Sequence, residues 1–359
     1  MRRAASCDGF TVIELLVSAA IGLLVTAAVC TLLTSGQLLA QTETERANML
    51  QRLRVGADVL SASIRAAGAG PDGGAAPGAL SRRFAPILPR RIGRLRADGE
   101  GVFRADAITT VSVAPDAIPA TLAFALSPGS SDLYVDESFC GSGSACGISA
   151  GDTIAVFDRY GRFDLLSVVL VDGSRVQFRH CGGGLMAEYS RGTPVVAVDA
   201  ATHYLDRAAN QLRRYDADAS DLPAIDDVVD LRFEYVGDVE PPRSPGAAPG
   251  EANCLYDSAG RYNTSAMPRL AGAQRLVPLA SSQLVDGPWC GAPSTLYDAD
   301  LLRVRAVRIT LRLQTSDAVM RGADAVRFRN PGPAQHSGRQ VPDLTLVFDV
   351  IPRNMGFQP

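Results

Sequence analysis

The sequence predicts an α+β protein, with a long N-terminal hydrophobic helix followed by a globular domain of mostly antiparallel β-sheet. Three observations support this prediction. An uncharged, largely apolar run extends from Leu15 to Thr42, and apolar residues then recur at helical spacing as far as Ala67. Further along the chain, apolar and polar residues alternate at the period of a half-buried strand. A helical segment followed by a series of strands is typical of the α+β class.

The composition is that of a globular chain without a strong electrostatic signal. The 359 residues are 47 % hydrophobic and 20 % charged, and the formal net charge is -3. This length allows one large domain or two modest ones. A charge so close to neutral does not predict attraction to a polyanion, and we expect no nucleic-acid partner.

The N-terminal apolar run is long enough to cross a membrane, since a span needs about 20 residues. Arg2 and Arg3 are the only basic residues before it, which favours a cytoplasmic N-terminus. A cleaved secretory signal peptide and a plain membrane anchor are two alternatives. Glu14 needs an explanation because a carboxylate at the bilayer centre costs about 2.5–3.5 kcal/mol. Neither alternative provides one.

The stretch from Gly9 to Glu14, GFTVIE, resembles the signature of type IV prepilins, in which a short basic leader ends in Gly before Phe and an apolar helix. The resemblance implies that a prepilin peptidase cleaves after Gly9 and methylates the new amino group of Phe10. It also implies a role for Glu14 in assembly. The sequence departs from the family pattern at Asp8, where a basic residue is usual, and at Thr31, where many major pilins have Pro.

The helix is predicted to continue past the apolar run, over residues 10–67. Its second half is amphipathic, because apolar residues recur with gaps of three, four and seven. They are Met49, Leu53, Leu60, Ile64 and Ala67. The following AGAGPDGG is expected to end the helix. The block QRLRVGADVLSASIRAAGAGP resembles the corresponding block of PilW-type minor pilins.

The remainder is predicted to contain strands separated by loops rich in Gly and Pro. Alternating patterns predict strands over Val229–Tyr235 and Val307–Leu313, and GDTIAVFD and PDLTLVFDVIP predict two more. LLSVVLVDGSRVQFRH predicts a hairpin that turns at Asp172-Gly173. We expect a leader at 1–9, the helix at 10–67, a connector rich in Gly, Pro and Arg at 68–115, and the β-rich domain at 116–359.

Resemblance to PilW-type proteins implies a minor pilin of a type IV pilus, which acts as a structural subunit in filament initiation or the tip complex and is not an enzyme. It implies partnership with other minor and major pilins through their N-terminal helices, and with prepilin peptidase. The protein would lie in the inner membrane, with a single span and a periplasmic C-terminal domain, and in the pilus after assembly. One alternative is a J-type pseudopilin of type II secretion, although this chain is longer than expected for one. Another is a membrane-anchored periplasmic enzyme or binding protein, which would need a polar pocket within 116–359.

Five cysteines follow the apolar run, which allows two disulfides and one free thiol in an exported domain. We expect Cys140–Cys146, which closes a short Gly/Ser turn, and Cys254–Cys290, which brackets a stretch rich in loops. Cys181 is then the free thiol. Five cysteines also allow other connectivities.

Other motifs give no predicted catalytic residue, metal site or cofactor. GAGPDG at 68–73 has the spacing of a dinucleotide fingerprint, but it follows a helix and contains Pro71, so we expect a loop. Asp216, Asp218, Ser220 and Asp227 occupy ligand positions of a calcium-loop template. The sequence departs from that template at Asp221, where the template needs Gly. His180-Cys181 is the only hint of a metal pair, and adjacent residues rarely bind one zinc.

A basic run lies in SRRFAPILPRRIGRLR, and contact with a polyanion such as DNA is one alternative for it. It contains a single aromatic residue, Phe84, and is interrupted by Pro, so we expect arginines that are solvated or that meet the acids of a partner. The run comprises Arg82, Arg83, Arg90, Arg91, Arg94 and Arg96.

Overall fold

The structure is a computed structural model, and it describes residues 11–72, 78–140, 144–181, 185 and 187–355. This part of the chain contains one α-helix, α1 (Val12–Ala66), and sixteen β-strands. The strands are β1 (Ile87–Leu88), β2 (Ala107–Val113), β3 (Ala120–Thr121), β4 (Asp132–Tyr134), β5 (Thr153–Phe157), β6 (Phe163–Asp172), β7 (Arg175–His180), β8 (Pro194–Asp206), β9 (Gln211–Tyr215), β10 (Asp221–Asp226), β11 (Val228–Asp238), β12 (Leu276–Leu279), β13 (Trp289–Cys290), β14 (Tyr297–Asp298), β15 (Val304–Leu313) and β16 (Leu344–Val350).

The chain divides into two compact units. The first unit combines Met1–Gln51 with Gln314–Asp343, and the second unit combines Arg52–Leu313 with Leu344–Pro359. In the first unit, the 314–343 segment folds back on itself, because Gln314 donates to the carboxylate of Asp343 and the Val341 amide donates to the Met320 carbonyl. The second unit contains all the named strands.

The strands of the second unit form antiparallel sheets. A ten-stranded sheet has the order β1-β2-β8-β5-β6-β7-β4, with β3 and β9 also paired to β8 and β10 paired to β9. A four-stranded sheet has the order β12-β11-β15-β16, and β13 pairs with β14. The predicted α+β class is therefore confirmed.

The C-terminal turns of α1 pack closely on the strands of the second unit. Leu53, Leu60 and Ile64 are buried, as the spacing of apolar residues predicts. A side chain on Gly56 would lie 2.6 Å from Ile225 Cδ1 and 2.8 Å from Leu311 Cδ2, so the absence of a Cβ permits this close approach. The Ser63 and Thr110 hydroxyl oxygens lie 2.6 Å apart.

The predicted strands and hairpin are present. β5, β11, β15 and β16 lie where the patterns predict them. In the hairpin, Asp172 pairs with Arg175, so the loop is Gly173-Ser174, one residue beyond the predicted turn. Gly173 has a φ of 61°, which glycine adopts without steric cost.

The expected connector at 68–115 differs from the structure. β1 and β2 both fall within it, and β2 pairs along its whole length with β8 in the ten-stranded sheet. The sheet therefore begins before residue 116. The difference arises because every residue of β2 is buried, and a strand buried on both faces does not show the alternation by which strands were predicted.

Candidate functional site

The start of α1 is fixed by a reciprocal interaction between Thr11 and Glu14. The Thr11 amide donates to Glu14 Oε2 over 3.0 Å, and the Thr11 hydroxyl donates to the same oxygen over 2.9 Å. In return, the Glu14 amide donates to Thr11 Oγ1 over 3.4 Å. Thr11 precedes the first helical residue, so the two side chains satisfy amide groups that have no partner within the helix. This arrangement is a capping box.

The capping box was visible in the sequence and was not predicted. Thr11-Val12-Ile13-Glu14 has the T-x-x-E pattern directly before an apolar run, which is the signature of such a box. Glu14 therefore has a local role, as a cap at the N-terminus of the helix. A cap does not require an apolar environment, so the box does not account for the position of Glu14 within a segment of membrane type.

The first half of α1 presents its apolar side chains on the outside. Val12 is 78 % exposed and Leu24 is 72 % exposed, and the exposure continues through Leu33. Among the helices that the structure describes, α1 is long and apolar enough to cross a membrane. An apolar surface of this kind is not stable in water and needs lipid or other helices around it.

Gly9 and Phe10, the predicted cleavage and methylation residues, lie outside the described residues. Glu14 lies in the first turn of α1. The predicted site is thus described only from Thr11 onward, and processing remains a prediction.

Both expected disulfides are present in the second unit. Cys140 bonds to Cys146, and Cys254 bonds to Cys290. Cys181 is a free, buried thiol. The longer bridge closes a stretch in which β12 is the only strand with more than two residues among those described, so this region depends on covalent and loop contacts more than on a sheet.

The residues that match a calcium-loop template are used for other contacts. Asp216 accepts the amides of Asp218 and Ser220, each over 3.0 Å. The carboxylate of Asp218 pairs with Arg94 over 3.0 Å, and that of Asp227 pairs with Arg52. The acids therefore shape a turn and neutralise arginines.

His180 and Cys181 line a cavity of about 330 Å³ together with Asp164. Burial raises the pKa of the Cys181 thiol to about 12, which keeps it protonated at neutral pH. Burial also raises the pKa of Asp164, to about 6, although this carboxylate accepts the Tyr189 hydroxyl over 2.8 Å. A protonated thiol is a poor nucleophile.

A group of three carboxylates lies near the 254–290 disulfide. The oxygen atoms of Asp286, Asp298 and Asp300 lie within 4.8 Å of one another. Asp298 accepts the amides of Gly287 and Asp300 over 2.6 and 2.8 Å, and Asp300 pairs with the buried Arg303. Two of the three acids therefore have protein partners, and the group is explained as a structural cluster.

Part of the basic run is buried, which differs from the solvated arginines that the sequence predicts. Arg91 lies over the Tyr215 ring at 4.0 Å and over the Tyr204 ring at 4.6 Å, and it pairs with Asp221 over 3.1 Å. Arg90 donates to the carbonyls of Gly99 and Leu296. The difference arises because most of these partners are more than 100 residues away in the sequence, and Gly99 is the exception.

The GAGPDG motif lies at the end of α1, where Gly68 has a φ of 79°. Its amide donates to the Val111 carbonyl over 2.9 Å. The stretch is a helix-ending turn as far as Asp72, and Gly73 lies outside the described residues.

Comparison with known proteins adds no family assignment: no protein-family model matches the chain, and a search of curated proteins gives no significant match.

Proposed function

We propose that the protein is a minor pilin of a type IV pilus, similar to the PilW type, which acts as a structural subunit in filament initiation or the tip complex. The observation that carries the proposal is the order Gly9, Phe10 and Glu14 at the start of a helix whose first half exposes apolar side chains. Cleavage after Gly9 would release a subunit whose N-terminal helix packs with those of other minor and major pilins.

Glu14 supplies a physical reason for this order. Cleavage creates a positively charged amine on Phe10, and single methylation leaves that charge in place. A carboxylate in lipid needs a cation nearby. Phe10 precedes Glu14 by four residues in the sequence, so its amine would be a nearby cation, and in a bundle the amine of a neighbouring subunit could approach Glu14 as well. A pair of this kind would set the axial register between subunits.

The cellular location follows from the same features. Arg2 and Arg3 favour a cytoplasmic leader. The two disulfides favour an oxidising compartment for the globular region. We therefore infer a single span in the inner membrane with a periplasmic C-terminal domain before assembly, and a place in the pilus afterwards.

A membrane-anchored periplasmic binding protein is the second candidate, and one observation favours it. A polar cavity of about 420 Å³ lies in the second unit, lined by residues that include Arg83, Tyr160 and Arg191. This candidate does not explain why Gly9, Phe10 and Glu14 occur in that order before the apolar helix. A pilin can also carry a binding pocket, so we prefer the function that uses the N-terminal order. A J-type pseudopilin shares that order, and the genes adjacent to this one would separate the two.

Substitution of Glu14 tests the proposal. Glu14→Leu removes the charge without making the span more polar, so we expect normal insertion and normal processing. We expect the variant to lose its association with the other minor pilins, because removing one member of a buried ion pair costs about 3–5 kcal/mol. The measurement is a pull-down of the minor pilins, with an immunoblot for the processed form.

Glu43→Leu is the matched control, since Glu43 lies on the same helix beyond the apolar run and pairs with Arg46 over 3.2 Å. This control should associate normally. Normal association by Glu14→Leu would contradict the proposal, and Glu14 would then be a helix cap alone.

A further inference from the structure

A polar cavity in the second unit lies between two turns and a third segment of the chain. One turn spans residues 158–162, between β5 and β6, and the other spans 190–193, directly before β8. Arg83 lines the cavity from a separate segment of the chain. The cavity has a volume of about 420 Å³, which is sufficient for a small organic ligand.

The charged side chains that line this cavity are mostly cationic. Four of them are arginines, Arg83, Arg159, Arg162 and Arg191, and the single acid is Asp158. We call this group the arginine pocket. Its charge makes an anion the expected ligand, provided that the arginines are not already neutralised by the protein.

Asp158 neutralises one arginine. Its Oδ2 accepts Arg162 Nε over 2.6 Å, and its Oδ1 accepts the amides of Tyr160 and Arg162 over 2.8 and 3.0 Å. The carboxylate is thereby committed to the 158–162 turn. Arg162 also lies over the Tyr160 ring at 5.0 Å, a cation–π contact that fixes its guanidinium group.

Arg159 is neutralised from outside the pocket. It pairs with Glu251 over 3.0 Å and lies 5.6 Å from the centroid of the Tyr160 ring. Two of the four positive charges therefore have a carboxylate partner.

Arg83 and Arg191 have no such partner. Among the residues that the structure describes, neither makes an ion pair with a carboxylate. The carboxylate of Asp136 attracts Arg191 electrostatically, but the two groups do not form an ion pair. Arg83 is half-buried, and both burial and the neighbouring Arg82 lower its pKa. A partly buried cation without a counter-ion is unfavourable, so Arg83 would gain from an anion in the pocket, whereas Arg191 is exposed and free to approach one.

We propose that the arginine pocket binds the phosphoryl group of a phosphomonoester. Among the described residues, the guanidinium groups of Arg83 and Arg191 have no carboxylate in an ion pair. A phosphomonoester carries about -1.5 to -2 charges at neutral pH, so its charge matches the two positive charges. The planar fork of arginine also suits phosphate oxygens, which accept several charge-assisted hydrogen bonds. A carboxylate would neutralise only one of the two groups. This inference goes beyond the proposed pilin function and does not depend on it, because every pocket residue lies outside α1.

The test is a calorimetric titration of the full-length protein in non-ionic detergent micelles at constant ionic strength. The probes are inorganic phosphate, glycerol 3-phosphate and acetate. We expect saturable binding of glycerol 3-phosphate at one site per chain, and binding of acetate at least tenfold weaker. Inorganic phosphate should bind as well as the ester if the phosphoryl group is the recognised part.

Variants locate the site. The double variant Arg83→Gln/Arg191→Gln should bind glycerol 3-phosphate at least tenfold more weakly. Arg82→Gln is the matched control, because Arg82 is exposed, adjacent in sequence and not part of the pocket lining, and it should bind normally. Arg191→Gln alone changes an exposed side chain, so it should keep the fold and weaken binding even if the double variant unfolds.

Three results would overturn the inference. The first is the absence of saturable phosphate binding by the wild-type protein. The second is binding that the Arg191→Gln variant and the double variant both retain unchanged. The third is tighter binding of a short single-stranded oligonucleotide without a terminal phosphate, which would indicate recognition of a phosphodiester backbone. None of these results bears on Gly9, Phe10 or Glu14, so the inference and the proposed function can fail separately.

Discussion

Thr11 and Glu14 hold each other at the first turn of α1, since Glu14 Oε2 accepts both the amide and the hydroxyl of Thr11, over 3.0 and 2.9 Å. The carboxylate that we propose for contact with another subunit therefore has a local partner in the single chain. This explains how the acid is accommodated before assembly. It also implies that Thr11 positions Glu14, and that entry of the amine from a neighbouring subunit must compete with or extend the capping box.

Thr11→Val separates the cap from the assembly role. Valine has nearly the same shape and no hydroxyl, so the helix start should lose about 1 kcal/mol of capping free energy. Glu14 keeps its charge in this variant. We expect Thr11→Val to associate with the other minor pilins, whereas Glu14→Leu does not, in the same pull-down. Failure of both variants to the same degree would show that helix capping, and not an intersubunit charge pair, is the requirement.

Gly56→Leu tests how the C-terminal part of α1 packs in the second unit. Even a Cβ would lie within 3 Å of the Ile225 and Leu311 side chains. Overpacking of this kind lowers the free energy of unfolding by about 1–3 kcal/mol. Urea unfolding of the full-length protein, followed by near-ultraviolet circular dichroism, measures the change.

Gly36→Ala on the same helix is the control, since nothing lies within 4 Å of a Cβ at that position. It should leave stability unchanged or raise it by up to about 1 kcal/mol, because alanine is the better helix former. Equal stability of the Gly56→Leu variant and the wild type would mean that α1 does not pack on these strands.

The Cys254–Cys290 bridge should contribute more to stability than the Cys140–Cys146 bridge. The two loops have sequence separations of 36 and 6. In the chain-entropy model the longer loop contributes about 4 kcal/mol and the shorter about 2 kcal/mol. Double Ser variants of each pair, unfolded in urea, measure the two values. Peptide mapping without reduction checks the pairing, and a disulfide that includes Cys181 would refute it.

Much of the fold follows from periodicity in the sequence. The strands β11 and β15 could be predicted because each buries one face: Phe233 and Ile309 are buried and lie opposite each other, while the next pair, Glu234 and Arg308, is exposed. The buried face of α1 could also be predicted, because its apolar residues recur at helical spacing.

The parts that were missed have physical causes. β2 has buried residues on both faces, and its polar Thr109 is accommodated by a hydroxyl contact with Thr202, 2.6 Å away, on a strand 93 residues later. The sequence around Thr109 gives no indication of Thr202 as its partner. Arg91 was expected in solvent or against the acids of a partner, because Tyr204 and Tyr215, which it contacts, are remote in sequence. The pocket arginines likewise come together only through the turns that carry them.

The central claim is that this chain is processed and assembled as a pilin, and the most direct test is the mass of its N-terminal peptide. The protein should be purified from native membranes of cells with active prepilin peptidase. The account predicts a mature chain that begins with N-methyl-phenylalanine at Phe10, directly after the Gly9 junction. An intact Met1 terminus, or cleavage after the apolar run as for a secretory signal peptide, would contradict it.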